Sequence, residues 1–283
     1  MCASRFPQLH DVPWRSEIKL SNDNIFSSRA FPDECSNTKR VFVYDKRLSM
    51  NIQCPICGDC KVQDLVYHQG VYRCTKCQHL FRINALDFDY TFYEKHDYWY
   101  NDPHWHRFMK TYFAFFEDYI SLNTPSIELG AANGDFLSSV YDFQSNFVVG
   151  GIPELYYNEL KDILNPIYNS IIPKERRLIG PIETITFPCT FENVFLIEVL
   201  EHFKDPYLVE TILKTITKKH GRVFIATDNA LHLNAVDMMF HHLEHLHIFS
   251  YASFSTVFSN SNWNCLLHWH SPVGKKYIVL ERV

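Results

Sequence analysis

The stretch that decides the fold reads Ser126-Ile-Glu-Leu-Gly-Ala-Ala-Asn-Gly-Asp-Phe-Leu137. A short apolar run contains the acidic Glu128, a glycine-containing turn follows, and apolar residues then recur at helical spacing. This order predicts a strand, a tight turn and a helix. Because glycine has no Cβ, the backbone of such a turn can approach a cofactor closely. A dinucleotide uses this turn for its pyrophosphate, whereas a carboxylate at Glu128 suits a cationic cofactor without phosphate.

Composition predicts a globular chain with a sizeable core. The 283 residues are 46% apolar, which is enough for one large domain or two small ones. A net charge of −5 provides no general positive field, so binding of long nucleic acid is not expected. The N-terminus has no signal-peptide pattern, and no run of about 18 apolar residues occurs. A cytoplasmic protein without a membrane partner is therefore expected.

The cysteines predict a metal site. Among nine cysteines, four fall into two Cys-x-x-Cys pairs: Cys54, Cys57, Cys74 and Cys77. The turn signal Gln69-Gly70 between the pairs predicts a β-hairpin. Two thiolates on one tight turn can face a single ion, and four thiolates satisfy tetrahedral zinc. The spacing predicts a closed, structural Zn²⁺ ribbon over residues 51–85, preceded by an irregular extension at 1–50.

The two modules are joined by an aromatic segment, predicted as a connector over residues 86–125. Apolar residues between His106 and Leu122 recur at helical spacing, which predicts an amphipathic helix. The aromatic side chains have two interpretations. They pack between the modules, or they form a lid over the cofactor or acceptor.

From residue 126 to 283, strand-like and helix-like patterns alternate, as a parallel α/β sheet requires. The predicted strands are Ser126–Leu129, Phe147–Ile152, Arg177–Ile179, Asn193–Ile197, Arg222–Thr227, Asn264–His268 and Lys276–Glu281. The predicted helices are Asp135–Asp142, Glu154–Leu164, Tyr207–Lys219 and Tyr251–Ser259. The last two strands form a predicted hairpin around Pro272-Val-Gly274.

The pattern Glu-x-Gly-x-Ala-x-Gly at residues 128–134 resembles motif I of the class I S-adenosyl-L-methionine (SAM) dependent methyltransferases, with alanine in place of the middle glycine. The resemblance implies a Rossmann-like α/β domain with a seven-stranded, mostly parallel sheet. It also implies that Glu128 faces the methionine end of SAM. The residues then expected to hold the cofactor are Glu128, Gly130, Ala132, Gly134, Glu154, Ile182 and Ile197.

The sequence departs from this family pattern at two strand ends. In the family, an acidic residue that ends the second strand binds the ribose hydroxyls. With the second strand at Phe147–Ile152, Pro153 occupies that position and Glu154 is the expected substitute. After the third strand, Gly180-Pro181-Ile182 stands where another acidic residue is usual.

Two further stretches contain candidate catalytic residues. Phe195 to Pro206 contains Glu198, Glu201 and His202, and a later segment contains Glu244-His245. Together they resemble the divalent-metal site of ubiquinone-pathway O-methyltransferases and of small-RNA 3′-terminal 2′-O-methyltransferases. That resemblance implies Mg²⁺ or Mn²⁺ held by Glu198, Glu201, His202 and His245. Two alternatives stay open, in which His202 or His245 is a general base without metal, or these residues are structural.

A zinc ribbon followed by a methyltransferase domain resembles a bacterial-type group linked to saccharide and secondary-metabolite modification. The expected function is O-methylation of a hydroxyl on a small molecule or saccharide. The alternatives are metal-assisted methylation of an RNA 3′ end and a degenerate methyltransferase fold used as a binding module.

Overall fold

The computed structural model describes residues 52–59, 61–65, 70–83, 103–147, 153–242, 244–258 and 261–283. The predicted extension at 1–50 and most of the first half of the predicted connector lie outside the described residues.

Strands and helices of the described residues are named in chain order. The strands are β1 (Val62–Asp64), β2 (Val71–Cys74), β3 (Leu80–Arg82), β4 (Ser126–Leu129), β5 (Leu155–Glu159), β6 (Arg177–Ile179), β7 (Phe191–Ile197), β8 (Thr217–Asp228), β9 (His247–Ile248), β10 (Trp263–His270) and β11 (Lys275–Arg282). The helices are α1 (Pro103–Phe116), α2 (Asp135–Phe147), α3 (Pro206–Ile216), α4 (Ala235–His241) and α5 (Tyr251–Phe258).

The larger sheet has seven strands in the order β10-β11-β8-β7-β4-β5-β6. Strands β6, β5, β4, β7 and β8 run parallel to one another, whereas β11 is antiparallel to both β8 and β10. The predicted fold class, a seven-stranded and mostly parallel α/β sheet, is therefore confirmed. The carboxyl ends of the parallel strands meet at one edge, which is where ligands bind in open sheets of this kind.

Both faces of this sheet are covered, and successive side chains along each strand point to opposite faces. On β7, Phe195 and Ile197 pack towards α1 and α2, where Tyr112 and Phe136 are also buried. The other face carries α3, α5 and the cysteine module in a single apolar cluster, whose members include Ile56, Phe81, Val194, Leu196, Leu213 and Phe258. The aromatic residues of α1 thus pack on the face of the sheet opposite the cysteine module, rather than between the two modules.

A smaller sheet has the order β1-β2-β3-β9, with all neighbouring strands antiparallel. Its first three strands come from the cysteine module. Its fourth strand, β9, comes from the distant segment that follows β8 and α4. The cysteine module is therefore joined by a β-ladder to the part of the chain that contains His245.

Two predicted helices are misplaced, and one predicted strand lies mostly outside the described residues. The strand next to β4 is Leu155–Glu159, and the predicted helix Glu154–Leu164 is absent because this strand occupies its first half. Of the predicted strand Phe147–Ile152, Phe147 is the last residue of α2 and the other residues lie outside the described ranges. The connector helix begins earlier than predicted, at Pro103, a residue favoured in the first turn because its missing N–H is not needed there.

Candidate functional site

The turn after β4 has an unusual backbone. Gly130, Ala132 and Gly134 all have positive φ, at 67°, 49° and 86°. A Cβ on Gly130 would lie 2.7 Å from a methyl group of Val199, and one on Gly134 would lie 2.5 Å from Leu164 Cδ1. Two of the three positions are thus glycine for reasons of both φ and space, and the turn is packed tightly against its surroundings.

Replacing Gly134 with alanine is expected to destabilise the protein by about 2–4 kcal/mol, because backbone strain at positive φ adds to overpacking. Denaturant unfolding measures this loss. Gly70→Ala is the matched control, since Gly70 has φ 82° but no atom of a described residue lies within 4 Å of the place that its Cβ would take. The control should show the backbone cost alone. Equal losses in the two variants would mean that the contact with Leu164 has no energetic consequence.

Glu128 is the most informative side chain at this turn. It is only 2% exposed, and among the described residues its Oε2 atom has no hydrogen-bond partner. Burial raises the pKa of Glu128 well above its usual value, and the nearby Asp135 and Glu159 carboxylates raise the pKa further. An unpaired buried carboxylate is costly, so this site is suited to a cationic ligand that would compensate it.

Glu159 ends β5, the strand next to β4. Its Oε2 accepts a hydrogen bond from the Ala132 N–H at 2.9 Å, and its Oε1 accepts one from the Leu160 N–H at 2.8 Å. Burial raises the pKa of Glu159 despite these two bonds. Each carboxylate oxygen has two lone-pair sites, so capacity for ligand hydroxyls remains.

Glu154 was expected to bind the ribose because it was thought to follow the second strand, but it precedes that strand. Glu154 precedes β5 at its amino end, on the opposite edge of the sheet from the turn, and its Oε1 accepts a hydrogen bond from the Tyr156 hydroxyl at 2.7 Å. The acidic residue at the carboxyl end of the second strand is Glu159. The sequence signal was present, because Leu155, Tyr156 and Tyr157 form an apolar run that is followed closely by an acid.

The space beside the turn is small. A cavity of about 10 Å³ is lined by Met109, Glu128, Gly130, Ala131, Ala132, Asn133, Asp135, Phe136 and Ile197. That volume suits about one water molecule, so a nucleoside-sized ligand requires the pocket to widen. Ile197 lines this cavity, whereas Ile182 is buried in the apolar cluster on the other face of the sheet.

The predicted catalytic residues do come together at the same edge of the sheet. Glu198 follows β7 directly and has the left-handed φ of 56°. Its Oε1 accepts a hydrogen bond from the Tyr112 hydroxyl at 2.8 Å, and its Oε2 accepts one from the Lys275 ammonium group. Both oxygens of Glu198 are therefore engaged by residues that the sequence analysis did not single out.

Asp228, at the end of β8, links this ion pair to a histidine. Its Oδ1 lies 2.6 Å from Lys275 Nζ, and its Oδ2 lies 3.4 Å from His245 Nδ1. In the part of the chain that the structure describes, neither Asp228 Oδ2 nor His245 Nδ1 has a hydrogen-bond partner. The two groups face each other within reach of a hydrogen bond after a small adjustment.

Glu201, His202 and His245 form the other half of the cluster, and one ligand atom from each lies within 4.8 Å of the others. Glu201 Oε2 accepts a hydrogen bond from the Thr227 hydroxyl at 2.8 Å, while no described residue bonds to its Oε1. Burial raises the pKa of Glu201 well above its usual value. Burial also lowers the pKa of His202 and, more strongly, of His245, so both imidazoles are neutral at pH 7.

The four cysteines of the two pairs also converge. Cys54 Sγ lies 3.6 Å from Cys77 Sγ, and Cys57 Sγ lies 3.5 Å from Cys74 Sγ. All four sulfur atoms lie within 4.8 Å of one another. In a tetrahedral site with zinc–sulfur bonds of about 2.3 Å, sulfur atoms are about 3.8 Å apart. The donor set and spacing fit one tetrahedral ion with no position left for substrate.

Besides Glu159, three residues of the site were not predicted from the sequence. Asp228 lies one residue beyond a predicted strand. Acidic residues also lie at or near the carboxyl ends of β4, β5 and β7, so the same pattern could have identified Asp228. Tyr112 and Lys275 had no sequence signal. Each reaches Glu198 across more than 70 residues, with sequence separations of 86 and 77.

No family model and no curated protein matches the sequence at a significant level. Solved structures do match. The PH0226 protein from Pyrococcus horikoshii superposes with a TM-score of 0.52 at 9% identity, covering 69% of this chain and 100% of the other. A SAM-dependent methyltransferase from Aquifex aeolicus superposes with a TM-score of 0.51 at 11% identity and the same coverage.

No helix among the described residues is both long and apolar enough to cross a membrane.

The sheet order, with its one reversed strand β11, and the two superposed structures indicate the same fold. The chain therefore has the fold of the class I SAM-dependent methyltransferases.

Proposed function

We propose that the protein is a SAM-dependent methyltransferase that methylates a hydroxyl of a small molecule or saccharide. The observation that carries the proposal is the buried carboxylate of Glu128, which has one oxygen without a partner among the described residues and lies at the β4 turn of a methyltransferase fold. A cationic amino-acid group is the ligand that this carboxylate lacks.

The chain offers a separate group for each end of such a cofactor. Glu128 would bind the ammonium group of the methionine part, and Glu159 would accept hydrogen bonds from the ribose hydroxyls. The positive-φ turn from Gly130 to Gly134 lets the backbone approach between them. SAM, when bound, supplies an electrophilic methyl group on a positively charged sulfur.

His245 is the proposed general base, and Asp228 is its proposed positioning residue. A hydrogen bond from His245 Nδ1–H to Asp228 Oδ2 would fix the tautomer in which Nε2 can accept a proton. The proton of the acceptor hydroxyl would pass to His245 Nε2, and the acceptor oxygen would take up the methyl group that bound SAM supplies.

Lys275 holds the carboxylates of this site in place. Burial lowers the pKa of Lys275, but the Asp228 and Glu198 carboxylates outweigh burial and raise the pKa overall. Lys275 therefore stays protonated and donates to both acids. Because Lys275 is itself the cation beside Glu198 and Asp228, the Glu198 carboxylate is poorly placed to be a metal ligand.

The test of the proposed function uses the full-length chain. Calorimetry with SAM is expected to show one site, and SAM with a labelled methyl group is expected to transfer label to a hydroxyl in a panel of saccharide and phenolic acceptors. Failure to bind SAM would overturn the proposal. Binding without turnover of any acceptor would favour the degenerate fold that serves as a binding module.

We also propose that Cys54, Cys57, Cys74 and Cys77 bind one structural Zn²⁺. The sulfur–sulfur distances of 3.6 Å for Cys54–Cys77 and 3.5 Å for Cys57–Cys74 support this assignment. Elemental analysis is expected to find one zinc per chain, with a large loss in Cys77→Ser. Cys265→Ser is the matched control because Cys265 is an exposed cysteine on β10, outside the two Cys-x-x-Cys pairs. Equal zinc content in both variants would exclude this site.

A second candidate is metal-assisted methylation with Mg²⁺ or Mn²⁺ at Glu201, His202 and His245. It is favoured by the partnerless Oε1 of Glu201 and Nδ1 of His245, considered among the described residues. Manganese bound beyond the zinc and lost in His245→Asn would support it, and no such manganese would exclude it. An RNA acceptor has less support, because the basic residues Arg177 and Lys218 are paired with the acids Asp162 and Glu192.

A further inference from the structure

The cysteine module is attached to the segment that contains His245. Strand β9 begins at His247, two residues after His245, and pairs antiparallel with β3 of the module. The register places Phe81 opposite His247 and Leu80 opposite Ile248. A strand of two residues has little stability of its own, so its position depends on the module with which it pairs.

Two buried histidines join the same elements. His79 Nε2 and His247 Nδ1 are 3.0 Å apart, and the His79 ring also lies against Phe249 with centroids 4.9 Å apart. His247 Nε2 faces the Lys204 carbonyl at 3.4 Å. A carbonyl only accepts, so this nitrogen carries the proton. In the neutral ring Nδ1 is then an acceptor, and His79 Nε2–H must be the donor.

Hydrogen bonds to the backbone hold the chain close to His245. The Arg82 N–H donates to the Leu246 carbonyl at 3.1 Å, and the Leu246 N–H donates to the Glu201 carbonyl at 2.9 Å. The Arg82 guanidinium donates to the Met239 carbonyl, and the Ser250 hydroxyl donates to the Cys77 carbonyl. The residue after His245 is thus held between the cysteine module and the catalytic turn.

We propose that the cysteine module positions the acceptor side of the site. Through the β3–β9 ladder, His79 and Arg82, it fixes residues 246–250 and so keeps His245 opposite Asp228. His79 and Arg82 are positioning residues, since neither belongs to the cluster that would meet substrate. The role given to His245 rests on the proposed function, but the coupling between module and segment does not.

The first test measures hydrogen exchange in the full chain with zinc and after dialysis against a chelator. Zinc removal is expected to speed amide exchange at residues 244–250 and to leave exchange at the cofactor turn, residues 128–137, unchanged. Unchanged exchange at 244–250 would overturn the proposal. Because no turnover is measured, this result stands apart from the outcome for the proposed function.

A zinc-retaining variant covers the case in which zinc removal unfolds the whole chain. His79→Phe keeps all four cysteines and an aromatic ring against Phe249, but it removes the hydrogen bond to His247. Lys76→Ala is the matched control, since this side chain is 64% exposed and pairs only with Asp59 at 3.8 Å among the described residues. Both variants should carry the same zinc as the native chain.

His79→Phe is expected to speed exchange at residues 244–250 and to lower kcat by about tenfold to 100-fold through misplacement of His245. SAM affinity should not change. His79→Gln, which keeps an N–H donor, should restore part of kcat, and Lys76→Ala should match the native chain throughout. Amide exchange at residues 244–250 as slow in His79→Phe as in the native chain would overturn the proposal. A fold-loss of SAM affinity as large as the fold-loss of kcat would also overturn it.

Discussion

Glu128→Gln is expected to abolish SAM binding, with affinity falling at least about 100-fold. The variant keeps the size and one acceptor oxygen of the side chain but removes the charge that a buried ammonium group requires. Breaking a buried ion pair from one side costs about 3–5 kcal/mol, which corresponds to a loss of roughly 100-fold or more. Isothermal calorimetry measures the change, and circular dichroism checks that the fold persists.

The matched control is Glu154→Gln. Glu154 is an acidic residue immediately before the neighbouring strand β5, but it lies at the opposite edge of the sheet and accepts a hydrogen bond from Tyr156. Its replacement should leave SAM affinity unchanged. If Glu154→Gln weakened binding and Glu128→Gln did not, both the assignment of the carboxyl edge and the proposed role of Glu128 would be wrong.

The same carboxylate predicts a pH dependence of binding. Burial raises the pKa of free Glu128, and a cationic ligand favours its ionised form. Binding near that raised pKa should therefore release a proton, and affinity should fall as pH drops through it. Calorimetry in buffers with different ionisation enthalpies detects the proton. Glu128→Gln should bind whatever ligand it retains without this release.

Local patterns were enough to predict the fold. The strand that begins at Ser126 and the helix that begins at Asp135 start at the predicted residues. The two cysteine pairs also converge. These features depend on neighbours in the chain, such as the glycines required by positive φ. The hairpin of β10 and β11 was likewise predictable from two strand-like runs on either side of the turn at residues 272–274.

The predictions that failed concern features that depend on strand pairing or on contacts between residues distant in the chain. Glu159 was missed because the run Leu155–Glu159 was assigned to a helix, whereas it forms the strand between β4 and β6. Tyr112 and Lys275 reach Glu198 from α1 and β11, and no local pattern reports such a meeting. The ladder between β3 and β9 joins residues more than 160 positions apart, with Leu80 opposite Ile248. Two-residue strands have no period that could reveal them.

His245→Asn is expected to lower kcat by about 100-fold to 10,000-fold, the usual contribution of a general base. SAM affinity should be unchanged, because His245 lies in the acid–histidine cluster rather than at the turn that contains Glu128. Asparagine can still donate a hydrogen bond to Asp228, but it cannot take up the proton of the hydroxyl that is methylated. Single-turnover kinetics with labelled SAM separates this loss from any change in binding.

The pH profile gives a second readout of the same variant. Burial and the neighbouring His202 and His242 lower the pKa of His245 well below 6.5. The neutral base is the active form, so the native rate should be flat above pH 6.5 and fall only as pH drops through that lowered pKa. His245→Asn should lose this acidic limb, and the exposed His270→Asn should keep it. A normal limb in His245→Asn together with its loss in His202→Asn would transfer the role of base to His202.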